Sequence, residues 1–351
     1  MNKKICLRNV SIFMAVIIVA LYLLQKILMP KYVDNVVEGN LIKEYYKEGN
    51  KEFDVVFIGD CEVYENFSPV TLWEKYGINS YIRGSAEQYI WQSYYLLEDT
   101  LKYYKPQVVV FNIQSLQFNE SDSEAYNRMT LDGMKWSVSK INSIKASMKD
   151  NEHFIDYVFP ILRYHSRWNE LSVNDFKYMF RQPDNIAHNG YYMRVDTKPA
   201  VNVPKGRMLT DYNFGDNAWK YLDKMRTLCE ENDITLLLIK APSLYPYWYE
   251  EYEQQVLDYA NKYNLPYINF LKLTDKIGID YSTDTYDAGL HMNLSGAEKL
   301  SDYIGNLLSD YWKVPNRKDE KLLSEIWNKK IELYEEDIQK QCEKYNIKLE
   351  R

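Results

Sequence analysis

The chain is poor in the residues that build covalent or metal scaffolds. Its four cysteines, Cys6, Cys61, Cys229 and Cys342, are too few for a disulfide framework, and their spacings match no zinc pattern. His153, His165 and His188 follow one another too irregularly to suggest a metal site, and no cofactor is expected. Dense Lys/Arg clusters are also missing. With a net charge of -7 and a pI near 5.4, the chain lacks the concentrated cationic face that a phosphate backbone requires, which argues against a nucleic-acid partner. Internal repeats and low-complexity tracts are absent.

What is present is enough apolar side chain, 46% of 351 residues, to bury a large core. The first strong feature is the uncharged run Val10 to Leu24, extended by Ile27, Leu28 and Met29. With Lys26 snorkelling, it reaches the roughly 20 residues that a membrane-spanning helix needs. Lys3, Lys4 and Arg8 precede it, so the positive-inside rule predicts a cytoplasmic N-terminus and an extracytoplasmic main domain. No small-x-small cleavage site follows Leu24, which favours an uncleaved single-pass anchor in the cell membrane over a removed leader. The alternative is a buried core helix. The expected organisation is an anchor over residues 1–30 and a polar connector over 31–52.

An α/β rhythm then begins. Strands are expected near 54–59, 79–82, 108–113, 234–239 and 267–270, with helices near 69–76, 87–104, 216–232, 250–263 and 295–311. Strands alternating with helices imply parallel pairing through right-handed crossovers. The expected fold is therefore a flavodoxin-like, doubly wound parallel sheet of about five strands, built from residues 53–118 and 213–315. The rhythm stops over 119–212, which reads as a mainly helical insertion with helices near 131–149 and 151–164 and an irregular run through Pro183, Gly190, Pro199, Pro204 and Gly206. Beyond residue 316, Leu323, Ile326, Ile331, Tyr334, Ile338, Cys342 and Tyr345 recur at helical spacing. They predict an amphipathic helix that packs back on the domain or on a partner helix.

The chemistry is concentrated in two segments. Asp54 to Cys61 puts an apolar strand directly before a Gly-Asp-Cys turn, which places Cys61 at the carboxyl edge of the sheet. A thiol attacks as thiolate, so it needs a base or cation beside it. His291, in Asp287-Ala-Gly-Leu-His-Met-Asn-Leu-Ser-Gly-Ala, precedes the last helix and can supply that base. Asn293 or Ser295 would cap this helix. Asp287 is the candidate to hold the imidazole in the proton-accepting tautomer, with Asp284 as a rival. The competing reading makes Cys61 a small buried hydrophobe and His291 a capping or surface residue.

Together these segments resemble the SGNH/GDSL hydrolase superfamily, whose first block is Gly-Asp-Ser and whose last carries an Asp and a His; here Cys61 stands at the serine position. The anchor, Phe57-Ile58-Gly59, Ser68-Pro69, Lys105-Pro106 and His291-Met292-Asn293 are most similar to its membrane-anchored, extracytoplasmic branch, associated with DltD and alginate O-acetylation proteins. The resemblance covers roughly residues 53–118 and 233–312. It implies an acyl transferase or esterase acting on a cell-envelope glycan or teichoic-type polymer beside a membrane O-acyltransferase, with a Cys61 thioester as intermediate. It also implies oxyanion donors at Gly84 and Asn112, in addition to the N–H of Cys61. A contrasting expectation is an inactive member that serves as a binding or scaffolding module of the envelope. Two further features bear on substrate. The aromatics from Tyr245 to Tyr252 would rim the cleft, to stack on sugars or to pack a helix start. Arg163, His165 and Arg167, with Arg128 and Arg194, would grip a carboxylate or phosphate, or lie on a solvated face.

Overall fold

The computed structural model describes residues 3–32, 37–181 and 187–348. Residues 33–36 of the expected connector, and Pro183, lie outside them. Five strands, β1 (Val55–Gly59), β2 (Ser80–Gly84), β3 (Val108–Asn112), β4 (Thr235–Lys240) and β5 (Tyr267–Asn269), form one sheet in the order β2-β1-β3-β4-β5, every pair parallel. The chain leaves β1 to one side and returns on the other as β3. The crevice above β1 and β3 is therefore the topological switch point at which α/β sheets receive ligands.

Alternation along the strands explains why both faces are covered. Val55, Phe57, Val108, Val110, Leu237 and Ile239 point to one face, under the helices Pro69–Tyr76, Leu294–Asp310 and Lys321–Tyr345. Their neighbours Val56, Ile58, Val109, Phe111, Leu236 and Leu238 point to the other, under Ile90–Thr100, Asp216–Glu230 and Glu250–Tyr263. Near-continuous apolar strands are what a sheet buried on both faces demands.

The C-terminal helix packs back on the domain. Trp327, outside the apolar stripe read from the sequence, anchors it by stacking on Trp73 with ring centroids 5.1 Å apart, and its indole N–H donates to Asn79 at 3.0 Å. Tyr334 and Ile338 are also buried, whereas Ile326 is only half-buried.

The insertion differs from expectation in its helix bounds. Instead of one helix over 131–149, the chain forms Glu124–Leu131 and Val138–Ser147, each N-capped by a serine, Ser123 and Ser137. Instead of one over 151–164, it forms Phe154–Val158 and Ile161–Tyr164, separated at Pro160, whose ring cannot occupy a helix interior. Ile42, Leu96, Leu131, Met134, Ile144 and Tyr157 give this part a small core of its own. The irregular run after it is not peripheral. Ala187, Tyr191, Met193 and Val195 join the main core, and backbone bonds carry the segment across the domain. Asn189 O accepts from Ile82 N–H, Tyr192 N–H donates to Tyr64 O, Arg194 O accepts from Leu294 N–H, and Lys198 N–H donates to Thr285 O.

The N-terminal helix Lys3–Leu28 contains a 22-residue stretch, Leu7–Leu28, long and apolar enough to cross a membrane; its most apolar 18-residue window has a mean hydropathy of 2.3 and buries none of its residues. The buried-core-helix alternative does not describe it.

Candidate active site

β1 ends at Gly59, and Asp60 N-caps a single helical turn, Cys61–Tyr64, by accepting from Glu62 N–H at 3.1 Å. The strand-to-helix turn is tight enough that a Cβ on Gly59 would lie 2.5 Å from Val63 Cγ2, so only glycine fits. Cys61 thus occupies the first helical position over the switch point, where a backbone N–H has no intrahelical acceptor, and its side chain is partly accessible.

His291 reaches Cys61 from the loop before the helix Leu294–Asp310. An antiparallel bridge between Thr285 and Met292 closes that loop. Asp287 fixes the histidine twice, accepting from His291 N–H at 2.8 Å and from Nδ1 at 2.6 Å. Tyr245 Oη in turn donates to Asp287 O at 2.6 Å. With Nδ1 engaged, Nε2 is the free ring nitrogen, and it is buried with no hydrogen-bond partner in the protein. Asp284, the rival orienter, is spent elsewhere, on Lys299 at 2.6 Å, Ser295 at 2.8 Å and Asp280 N–H at 2.8 Å. The helix Leu294–Asp310 is capped by Asn293, which accepts from Gly296 N–H at 3.3 Å.

Electrostatics set the resting protonation. Burial pushes the Cys61 thiol up to about 11, with the neighbouring His291 ring pulling the other way. Burial alone would lower His291, but Glu65, the Cys61 sulfur and Asp287 together raise it well above its ordinary value. Burial also opposes ionisation of Asp287, yet its hydrogen bonds and charge contact with His291 keep it below the usual carboxylate range. Both shifts favour the protonated form of each group, so a proton must leave the pair before either thiolate or free base exists.

Glu65 was not legible as a site residue. It follows Cys61 by one helical turn, and its Oε2 lies 3.8 Å from His291 Nδ1 while accepting from Tyr286 Oη. Tyr286 stacks on the His291 ring with centroids 6.0 Å apart, and Arg194 covers the Tyr286 ring. Asn66 Oδ1 accepts from Met292 N–H at 2.8 Å, tying the Cys61 turn to the His291 loop.

Of the expected oxyanion donors, Asn112 is already engaged. Asn112, at the end of β3, gives its amide hydrogens to Glu62 Oε2 at 3.0 Å and Asp60 Oδ1 at 3.3 Å, and its carbonyl takes Ala241 N–H. It is a strut beneath the Cys61 turn, because two buried carboxylates compete for it. Gly84 closes β2 opposite Gly59, where a Cβ would lie 3.0 Å from Gly59 O and 3.2 Å from the Tyr64 ring; packing of the Cys61 turn accounts for that glycine. The Cys61 N–H remains the candidate donor.

Asn112 belongs to a buried polar cluster. Lys240 ends β4 and meets Glu62 at 2.8 Å, both side chains essentially inaccessible. Asp60, in the same cluster, is pushed up to about 7 by burial and then by Glu62. A charged residue closing the apolar run of β4 was the sequence signal for this cluster.

The aromatics after β4 divide. Trp248 and Tyr252 are buried, the Trp248 indole donating to Glu253 at 2.8 Å. Tyr247 and Tyr249 instead line an open groove of about 600 Å³ with Lys205, Arg207, Tyr212 and Leu244. Leu244 N–H bonds Gly289 O in the His291 loop, so the groove adjoins the site. The arginines do not converge. Arg128 binds Glu124 and Asp132 inside the insertion, Arg194 binds Asp196, and Arg167 binds Asp175 and the Leu28 carbonyl. Each is paired with a nearby carboxylate, Arg163 sharing Glu124 with Arg128, so among the described residues these charges are already partnered.

Compared with known proteins, the chain matches no family model and no curated sequence.

Proposed function

We propose that this chain is a membrane-anchored, SGNH-like acyl-transfer enzyme. The observation that carries the reading is the orientation of His291, with Nδ1 held by Asp287, Nε2 not engaged elsewhere, and the ring neighbouring a partly accessible Cys61 at the switch point. Once the pair has released a proton, Cys61 Sγ attacks an acyl carbonyl carbon and Nε2 takes the thiol proton. The tetrahedral oxyanion meets the Cys61 N–H. Collapse breaks the bond to the leaving group, which departs with the proton from Nε2, and a thioester remains. An acceptor hydroxyl, or water, then attacks the thioester carbon and passes its proton through Nε2 to the departing sulfur.

A cell-envelope glycan or teichoic-type polymer is the acceptor that suits an open groove bearing the exposed Tyr247 and the half-buried Tyr249 and Tyr212, since sugar faces stack on aromatic rings. An outward-facing domain on a single-pass anchor, with Lys3, Lys4 and Arg8 on the cytoplasmic side, agrees with that substrate, and a membrane O-acyltransferase is the fitting donor. The raised thiol favours a second reading, a binding or scaffolding module in which Cys61 does no chemistry. Intact mass spectrometry of the detergent-solubilised chain with activated acyl donors separates the two. An adduct that vanishes in Cys61→Ala and forms more slowly in His291→Ala supports the enzyme. No Cys61-dependent adduct with any donor supports the module.

A further inference from the structure

The insertion carries a second set of apolar side chains that the proposed chemistry does not use. Between residues 159 and 180, Phe159, Leu162, Trp168, Val173, Phe176 and Phe180 are exposed, from 48% for Leu162 to 82% for Val173. They project from short helical turns, among them Ile161–Tyr164, His165–Asn169 and Val173–Lys177, that bury almost nothing of their own. Apolar side chains gathered this densely on a surface mark an interaction face.

These same turns grip the end of the N-terminal helix, which contacts all three. Leu28 is buried and Gln25, Lys26 and Ile27 are half-buried, where Leu21 to Leu24 are exposed. Its carbonyl accepts from Arg167 at 2.5 Å, and Lys31 donates to the carbonyls of Lys26, Ile27 and Met29 at 2.7, 3.2 and 2.6 Å. Asp175 pairs with both cations, at 3.3 Å from Arg167 and 3.8 Å from Lys31. The apolar face is thus fixed to the end of the helix, at the level where that helix leaves the hydrocarbon. Tryptophan and phenylalanine suit this depth, and Arg163, Lys177 and Arg181 beside them suit the headgroup layer.

We infer that the face formed by residues 159–180 lies in the membrane interface, its aromatic side chains at the boundary between lipid headgroups and acyl chains. This rests on the anchor reading of the N-terminal helix. The anchor and the embedded face then hold the domain at two places and restrict how the sheet's carboxyl edge can tilt over the bilayer.

The test uses the full chain reconstituted into phosphatidylcholine and phosphatidylglycerol vesicles, with and without bromine on the upper acyl chain. Flotation and an alkaline carbonate wash examine the anchor alone. The fluorescence difference between the wild type and Trp168→Phe isolates Trp168, which should lose most of its intensity in brominated vesicles and resist aqueous acrylamide. Phe176→Trp in the Trp168→Phe background should behave alike. A chain that floats and survives the wash, but whose Trp168 is quenched by acrylamide and not by bromine, overturns the embedded face while leaving the anchor. Protection from both quenchers puts another protein on this face and overturns it too. Failure to float removes the anchor and this inference together.

Discussion

Glu65→Gln should make Cys61 react faster near neutral pH. The carboxylate lies 3.8 Å from His291 Nδ1, a separation at which unit charges attract by about 4 kcal/mol at an effective dielectric of about 20. That attraction favours the protonated pair, so removing it eases loss of the proton that activation requires. The sign is fixed by charge: one fewer negative group beside the pair makes both thiolate and free imidazole easier to form. At tenfold per 1.4 kcal/mol, the ceiling is about a thousandfold in rate, and full water screening, about 1 kcal/mol, sets a floor of about fivefold. Glutamine keeps an oxygen for Tyr286 Oη, so the local hydrogen bonding survives. The assay is Cys61 alkylation by iodoacetamide across a pH series, resolved from Cys6, Cys229 and Cys342 by peptide mass spectrometry. The wild-type rate should climb mainly in the alkaline range, because burial holds the thiol at about 11. The variant's profile should move toward acid with the same alkaline plateau. An unmoved profile, or a rise at every pH including the plateau, would refute the reasoning, because the second pattern reports access and not ionisation.

Lys240→Ala should destabilise the domain by about 3–5 kcal/mol in urea titration by stranding buried Glu62, and Lys240→Met combined with Glu62→Gln should recover much of that loss. Asp60 binds its proton more tightly folded than unfolded, since burial and Glu62 push it up to about 7. Its cost is therefore absent at low pH and grows as pH rises from the ordinary aspartate range to about 7. Asp60→Asn, which still caps the Cys61 turn, should flatten the dependence of the urea midpoint over that window; an unchanged slope would show that the group does not titrate there. Trp327→Ala removes a fully buried ring stacked on Trp73 and should cost about 3–5 kcal/mol. A loss confined to the C-terminal helix, with the sheet's transition intact, would mean that the helix is an accessory.

The sheet was legible because strands buried on both faces must be apolar throughout, and runs such as Val55–Ile58 and Leu236–Ile239 are. The Asp287 and His291 pairing was legible for a similar reason, since a short loop brings them together. What escaped reading depends on partners distant in sequence. Residues 187–200 look irregular because their backbone bonds go to β2, the Cys61 turn and the His291 loop instead of to a repeating ladder. Asn112 was read from its place at a strand end, but a side chain's direction is decided by competing charges, here Glu62 and Asp60. Glu65 shows the same limit: only the arrival of the His291 loop makes it part of the site.

The packing of the C-terminal helix also sets an order of events. Trp327 and Tyr334 belong to the same buried cluster as Val55 and Phe57 of β1, so the packing of β1 is completed only by the last of the described helices. If the leading segment is already inserted in the bilayer, this face of the sheet is covered only in part, by Pro69–Tyr76 and then Leu294–Asp310, until residues 321–345 are delivered. Closure of that face comes as a late docking step, once the C-terminal helix has been made.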